Sequence, residues 1–530
     1  MMEKLDYYFA DSKKCSNFAK IMKQLLMKYG PIGLSVLVGI GIFLFWAIGY
    51  PHALSYHEQN QLFLWTWDYF TERLSVAGGL ADWLGEFIVQ FCYIPWLGAL
   101  LIALLFVALQ RLTARLLPKG IWCLLSLVPV AMLWWLMGDI NVLWSLPVAV
   151  VMAMAMAVVA GKVGKAGRVG VVGKVGIVGM VGEVGIIPLA YWLIGPAVWI
   201  YVAVRVAQRG WKHLWSAGWL LAVQLASSMW LLPQWPLQQV MTGLTYYRIP
   251  LQYPQWKGYD KDMYELIRLD YLVRNERWDD IISRAEEHEV RTAFWSNCVN
   301  LALAQKRQLA ERQFDFYQSG EDALLMPRLR DQTSNLPSAE AFFRLGLVNS
   351  AQRYMFDIQE SILNGRKSGR CTKRIVECML INGHYQTARK YIALLKKSLF
   401  YRSWAEEAER CLGKDAMVDR HPVWGRLRQL RFKNDFLFSY DEKEKIFGLL
   451  LMDNHDNKMA LDYFIAQLLL NGDVQGVMQY MPWAQQYGGY RYMPAGYQDA
   501  VRTIQSRGQA EGTKYGAYVR RMMSQKGGKP

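Results

Sequence analysis

The chain has 530 residues, 53% of them apolar, and carries a formal net charge of +16. That length suits two or three domains rather than one compact core. Much of the positive charge flanks apolar segments, where Lys and Arg orient membrane helices, so the basic balance argues for a lipid bilayer as partner and against nucleic acid. The seven cysteines show neither metal-ligand nor disulfide spacing. Cys371 and Cys378 lack histidines at ligand spacing and read as core or surface thiols, so neither a metal nor a cofactor is expected.

Residues 1–29 form a basic segment carrying Lys4, Lys13, Lys14, Lys20, Lys23 and Lys28. An apolar run follows over residues 33–50 without a small-residue cleavage site after it, which reads as an uncleaved anchor with a cytoplasmic N-terminus. A membrane-spanning helix needs about 20 apolar residues. Further runs of that kind lie near residues 87–109, 121–137, 142–160, 186–206 and 215–232. Trp46, Tyr50, Trp134, Trp135, Trp144, Tyr191, Trp230 and Trp235 crowd their ends, where aromatic rings sit at headgroup depth. Residues 30–240 thus read as a transmembrane domain of about six helices.

The charges do not agree with a simple count. An inside N-terminus puts residues 51–86 outside and Arg111, Arg115 and Lys119 inside, as the positive-inside rule asks. Six crossings would then leave the C-terminal half in the cytoplasm but put Arg205, Arg209 and Lys212 outside, against the rule. Between the fourth and fifth runs lies GKVGKAGRVGVVGKVGIVGMVGEVG, residues 161–185, with Gly at nearly every third position. With almost no proline it is no collagen, and it reads as a low-complexity insertion able to change the parity. The balance leans towards a periplasmic C-terminal domain, which requires one crossing more or fewer than the hydropathy count.

Beyond residue 245 the pattern changes to helix pairs joined by short polar turns, the mark of a helical repeat. The clearest pairs are 371–395, turning at Asn382-Gly383-His384, and 458–481, turning at Asn471-Gly472-Asp473. Weaker ones are 264–285, turning at Asn275, 293–316, with Ala302, Ala304 and Ala310 at the crossing, and 339–362, turning near Asn349. Neither helix of such a pair buries its apolar face alone, so neighbours must stack. The expected architecture is all-α: a polytopic transmembrane bundle, then a TPR-like soluble domain over 245–507, then a basic flexible tail over 508–530. A non-repetitive helical domain is the alternative for the second part.

No Walker loop, G-x-S-x-G, H-E-x-x-H or C-x-x-C occurs in the chain, which removes the common sequence signatures of catalysis. Chemistry-bearing side chains gather in the first outer loop as His52, His57, Glu58, Asp68, Glu72, Asp82 and Glu86, among aromatics and a Gly78-Gly79 break. Multi-span glycosyltransferases that use lipid-linked sugars carry an acid early in this loop as general base or metal ligand. Glu58 is placed similarly, with His57 and Asp68 as companions. A solvated, partner-facing loop is the simpler reading.

The segments HEQNQLFLWTWDYF and GGLADWLGEFIVQF, the span PWLGALLIALL and the junction YYRIPLQYPQWKGYDKDMYELIRLDYLVRNERWDDII resemble those of an uncharacterised family of multi-pass membrane proteins of Bacteroidota. The resemblance covers most of the chain apart from the Val/Gly tract. It implies an architecture and the inner membrane of a Gram-negative cell, and no activity. The function expected is therefore that of a cell-envelope scaffold whose TPR-like domain binds a protein partner. The alternative is a membrane glycosyltransferase with its carboxylate in the first outer loop.

Overall fold

The computed structural model describes residues 30, 32–118, 121–166, 175–247, 258–327, 333–362, 366–433, 442–506 and 512–527. The basic segment 1–29, Lys119 and the middle of the Val/Gly tract lie outside them. Among the described residues the secondary structure is helical, apart from one isolated antiparallel bridge between Val142 and Tyr247. The chain divides into two compact units. The first comprises residues up to 58 together with 65–260, and the second comprises 59–64 together with 261–530.

In the first unit, α1 (Ile32–Gly49) leads through α2 (Pro51–Gln59) and α3 (Trp67–Leu74) to α4 (Gly79–Val89). Then come α5 (Pro95–Leu116), a 3₁₀ turn running into α6 (Leu127–Met137), α7 (Ser145–Ala166), α8 (Val175–Ile194), α9 (Val198–Arg209), α10 (Trp215–Ala226) and α11 (Leu237–Thr242). Four helical runs are long and apolar enough to cross a membrane: Ile32–Gly49, Pro95–Leu116, Ser145–Lys162 and Gly182–Arg209. The second run starts later than residue 87, because Pro95 opens a new helix. Asp139 makes the turn before α7 by accepting the Asn141 N–H at 3.0 Å.

Sequence and geometry part at the fifth run. By composition residues 186–206 are one crossing, yet the Arg205 Nη2 lies 2.9 Å from Glu183 Oε1. In a continuous helix, 22 residues would separate these groups by about 33 Å. The chain instead turns back at Gly195–Ala197, where Gly195 adopts φ +62°, so α8 and α9 form a helical hairpin. Its tip is held by Tyr246, whose hydroxyl accepts the Ala197 N–H at 2.9 Å and donates to the Ile194 carbonyl. The segment 245–247 therefore belongs to the first unit, and the second begins at Lys261.

Buried polar bonds tie the apolar helices together. Ser35 Oγ donates to Gln110 Oε1 at 2.6 Å, and Gln110 Nε2 donates to Ser126 Oγ at 2.8 Å. Trp199 Nε1 reaches Gln224 at 2.8 Å and Trp219 Nε1 reaches the Val184 carbonyl at 3.0 Å, which fasten α10 to the hairpin. Small residues set the approach of α4 to α7: a Cβ on Gly85 would stand 2.6 Å from the Ser145 nitrogen.

The second unit consists of helix pairs, an arrangement consistent with a TPR-like repeat. Five pairs are α12 (Lys261–Arg274) with α13 (Trp278–Glu287), α14 (Ala293–Gln305) with α15 (Leu309–Arg312), α16 (Leu336–Leu345) with α17 (Val348–Ser361), α18 (Gly369–Asn382) with α19 (Tyr385–Leu395), and α24 (Lys458–Asn471) with α25 (Val474–Tyr487). Each first helix ends in the same device, a left-handed residue followed by an N–H that reaches back five residues. The bonds are Arg277 to Leu272, Gln308 to Leu303, Leu347 to Phe342, His384 to Met379 and Asp473 to Leu468. Gly346, Gly383 and Gly472 take the left-handed position in three of them, and Glu276 and Arg307 in the other two. The 339–362 pair thus turns at Gly346, ahead of Asn349.

Between the fourth and fifth pairs come α20 (Arg402–Arg410), α21 (Asp415–Arg420), α22 (Trp424–Leu430) and α23 (Lys443–Asp453). Helices α14 and α24 are buried on every face, from Phe294 to Ala304 and from Ala460 to Leu470, and the apolar core assembles around them. The unit closes with α26 (Ala495–Gln505) and α27 (Lys514–Gly527). Helix α27 stands where a flexible tail is expected. Tyr515 and Tyr518 are buried, and their hydroxyls donate to the carbonyls of Leu469 and Leu470 at the end of α24.

Candidate functional site

Thr66 caps α3 by accepting the Tyr69 N–H at 3.3 Å, and this fixes which face turns inward. Tyr69 and Arg73, one helical turn apart, point the same way and meet Glu86 of α4. The Tyr69 hydroxyl and the Arg73 Nε, at 2.9 Å, both donate to Glu86 Oε2. The guanidinium also stacks on the Tyr69 ring, 4.7 Å from its centre. One turn before Glu86, Asp82 accepts Ser145 Oγ of α7 at 2.6 Å. All five residues are buried. The tight turn from α3 into α4 depends on the glycine pair: Gly78 is left-handed at φ +89°, and a Cβ on Gly79 would meet the Arg73 carbonyl at 2.1 Å.

Burial, reinforced by Glu86, pushes the Tyr69 phenol well above its ordinary value and keeps it a donor. Burial alone would lower Arg73, but Glu86, Tyr69 and Asp82 outweigh it and hold the guanidinium charged. A carboxylate that already accepts two strong bonds in a closed cluster is a poor general base. The group braces α3 and α4 against α7.

The residues proposed from sequence fall into different surroundings. His57 and Glu58 are buried near the end of α2, as is His52 near its start. The His57 ring meets Trp144 edge-on at 6.1 Å. Glu58 lies close enough to Cys92 to add to the upward shift that burial gives that thiol. Neighbours in a helix point about 100° apart, so His57 and Glu58 leave α2 in different directions. Asp68 sits exposed in the first turn of α3 and joins no buried constellation with them. The acids brought together are Asp82 and Glu86. Their partners Tyr69, Arg73 and Ser145 were absent from the sequence-based set. The one available signal was Tyr69 and Arg73 at helical spacing on an otherwise acidic loop.

A second buried charge cluster closes the open end of the α8–α9 hairpin. Glu183 faces Arg205 at 2.9 Å, Arg209 at 3.3 Å and His213 Nε2 at 2.6 Å. Glu183 belongs to the Val/Gly tract, so that tract supplies the counter-charge for the two arginines at odds with the simple span count. Among the described residues no group of three or more His, Cys, Asp or Glu is placed to hold a metal ion.

In the second unit the buried acids are likewise paired. Arg370 holds Asp270 at 2.6 Å and also donates to Gln59 at 2.7 Å. Glu340 lies between Arg344 and Arg374, each at 2.7 Å. Asp462 takes Arg307 at 2.5 Å and the Tyr490 hydroxyl. Burial nevertheless pushes the Asp462 carboxyl up to about 6. A surface cleft of about 520 Å³ opens beside the α18–α19 turn, lined by Asn382, Asp415, Asp419, Arg428 and Arg431 among others. Arg428 spans it, paired with Asp415 and Asp419 at 2.9 Å each and donating to the last carbonyls of α18.

A model of a family of unknown function (DUF6057) matches residues 27–526, so the chain belongs to that family. No curated protein and no solved structure matches the chain.

Proposed function

We propose that this member of the family is a multi-pass protein of the inner membrane of a Gram-negative cell. Its helix-pair unit acts in the periplasm as a scaffold that holds a protein partner. The membrane reading rests on α1, where Leu37 and Ile48 stay 69% and 73% exposed along an 18-residue apolar helix. Such a face needs lipid around it.

The compartment follows from parity and from one short segment. A hairpin returns the chain to the side it left, so α8 with α9 counts as an even contribution. Five single passes then remain, formed by α1, α5, the 121–137 run, α7 and α10 with the π-helical turn after it. An odd number puts the second unit opposite the N-terminus and gathers Arg111, Arg115, Arg205, Arg209 and Lys212 on the cytoplasmic side. The observation that carries the reading is independent of this count. Residues 59–64, from the loop between the first two spans, belong to the second unit, where Leu62 joins the core and Gln59 bonds Arg370. One polypeptide cannot pack in two compartments, so that loop and the second unit share one.

Alkaline-phosphatase fusions at Gly210 and Gly508 test the topology: inactive and active, respectively, is the expected result, and the reverse pattern overturns it. The scaffold role follows from acids and arginines that are committed to one another in closed pairs, beside a large helix-pair surface. Crosslinking and pull-down of the intact membrane protein should recover one partner in constant ratio. Recovery of this chain alone would defeat that role.

A further inference from the structure

Helix α3 is too short and too polar to cross a bilayer, yet one of its edges is strongly apolar. Trp67 is 73% exposed and Trp65, just before the helix, 50%. Their rings begin a continuous aromatic ladder. Trp67 meets Phe70 at 5.2 Å, Phe70 meets Trp83 of α4 at 5.2 Å, Trp83 stacks on Phe87 at 5.9 Å, and Phe87 meets Phe91 at 5.5 Å. Trp65 closes on Phe87 at 5.6 Å while its Nε1 donates to Gln90 at 3.3 Å. Exposed apolar side chains follow directly in the chain: Tyr93 and Trp96, 41% and 58% exposed at the entry of α5, then Leu100 and Leu104 on that helix, 40% and 55% exposed.

We propose that residues 65–93 form an interfacial anchor, with the edge carrying Trp67, Phe70, Trp83 and Phe87 seated in the headgroup–acyl boundary of the outer leaflet. This rests on the membrane reading above and extends it to a segment that crosses nothing. The occupant is lipid, because the edge leads within a few residues into α5, an apolar helix of membrane-crossing length whose Trp96, Leu100 and Leu104 are exposed. Trp65, Trp67 and Trp83 also present amphipathic indoles, which favour that boundary over water or hydrocarbon. The neighbouring face of α3 carries Tyr69 and Arg73 into the buried cluster, so that cluster sets the angle at which the edge meets the bilayer. An in-plane helix needs this division of faces.

Nitroxide labels at Trp67→Cys and, separately, Trp65→Cys in proteoliposomes test the seating, read as collision with oxygen against a water-soluble nickel chelate. Unlabelled-site background is subtracted with the parent protein. Labels at Leu104→Cys and Glu72→Cys serve as references for lipid and water. Oxygen collisions several-fold above chelate collisions at 65 and 67, as at 104, are expected. Chelate-dominated collisions at both, as at 72, overturn the proposal, and so does shielding from both reagents, which would mean a protein covers the edge. Water-like behaviour at 104 itself would instead bring down the membrane reading.

Discussion

The Glu183 carboxylate and the Arg205 guanidinium are 22 residues apart in the chain and 2.9 Å apart in space. That contact turns an apolar run with the length of a single span into an out-and-back hairpin. Both side chains are nearly inaccessible, at 6% and 3%, so the pair closes the end of the hairpin where neither charge has water to fall back on. Removing one partner of a buried ion pair costs about 3–5 kcal/mol. Glu183→Gln should therefore lower the thermal midpoint of the purified protein in detergent by several degrees. Glu183→Gln combined with Arg205→Met should recover much of the loss. A single variant as stable as the parent would show that the hairpin is held by its tip alone.

The Tyr69–Arg73–Glu86 cluster yields a graded series. Tyr69→Phe removes one hydrogen bond to a charged acceptor, worth about 1.5–3 kcal/mol. Arg73→Met leaves Glu86 ionised and buried without its counter-ion, at about 3–5 kcal/mol. The double variant Arg73→Met, Glu86→Leu should be more stable than Arg73→Met alone. Denaturation midpoints of the three variants in the same detergent check the order.

Asp462 sets a pH dependence in the second unit. Its carboxyl is raised from the ordinary 3.8 to about 6 in the folded state, so the fold binds the proton more tightly than the unfolded chain does. The stabilisation is complete below the unfolded value and is lost as pH rises through about 6. Stability should thus fall between about pH 4 and 6 and level off above, by up to about 3 kcal/mol. Asp462→Asn should flatten that segment of the profile measured by thermal unfolding.

Glu276 and Arg307 hold the left-handed turn position that glycine takes elsewhere, at φ +55° and +59°. Glycine would relieve roughly 1–2 kcal/mol of backbone strain at either site. The side chains differ in what they hold. Glu276 meets Arg344 with its own carboxylate 63% exposed, whereas Arg307 meets an Asp462 side chain only 1% exposed. Exposed pairs contribute about 0–1 kcal/mol. Glu276→Gly should then be neutral or stabilising and Arg307→Gly destabilising, a contrast that urea titration of the two variants decides.

Glu58→Gln addresses the glycosyltransferase alternative. The carboxylate is buried at the end of α2, whereas Asp68 is exposed on α3. Growth and envelope glycan composition should match the parent. A loss of one glycan with normal protein level would restore the enzyme reading and displace the scaffold.

The helix pairs were legible because each turn carries its own chemistry: Asn382-Gly383 and Asn471-Gly472 announce a left-handed stop, and apolar residues at helical spacing flank both. The two pairs closed by Glu276 and Arg307 were fainter, since nothing local distinguishes a glutamate or arginine that takes the left-handed position from any other. Helices α14 and α24 lack an amphipathic stripe because every face is covered, so their depth was hidden. The hairpin was illegible for a different reason. Hydropathy records that residues 182–209 are apolar, and only the Glu183 contact across 22 residues reveals the reversal. In the first loop composition found the acids, and the fold chose Asp82 and Glu86 over Glu58 and Asp68 through where α3 and α4 cross.

The six residues 59–64 have a consequence for the order of synthesis. They leave the ribosome roughly 200 residues before Lys261, the first residue of the main part of their unit. At about 5–20 residues per second, that is a wait on the order of 10–40 s. During it Leu62 and Phe63, both buried in the finished protein, have no core to enter. A gene fragment starting at residue 261 would encode a unit with an open slot, whereas the same fragment supplied with a 59–64 peptide would be complete.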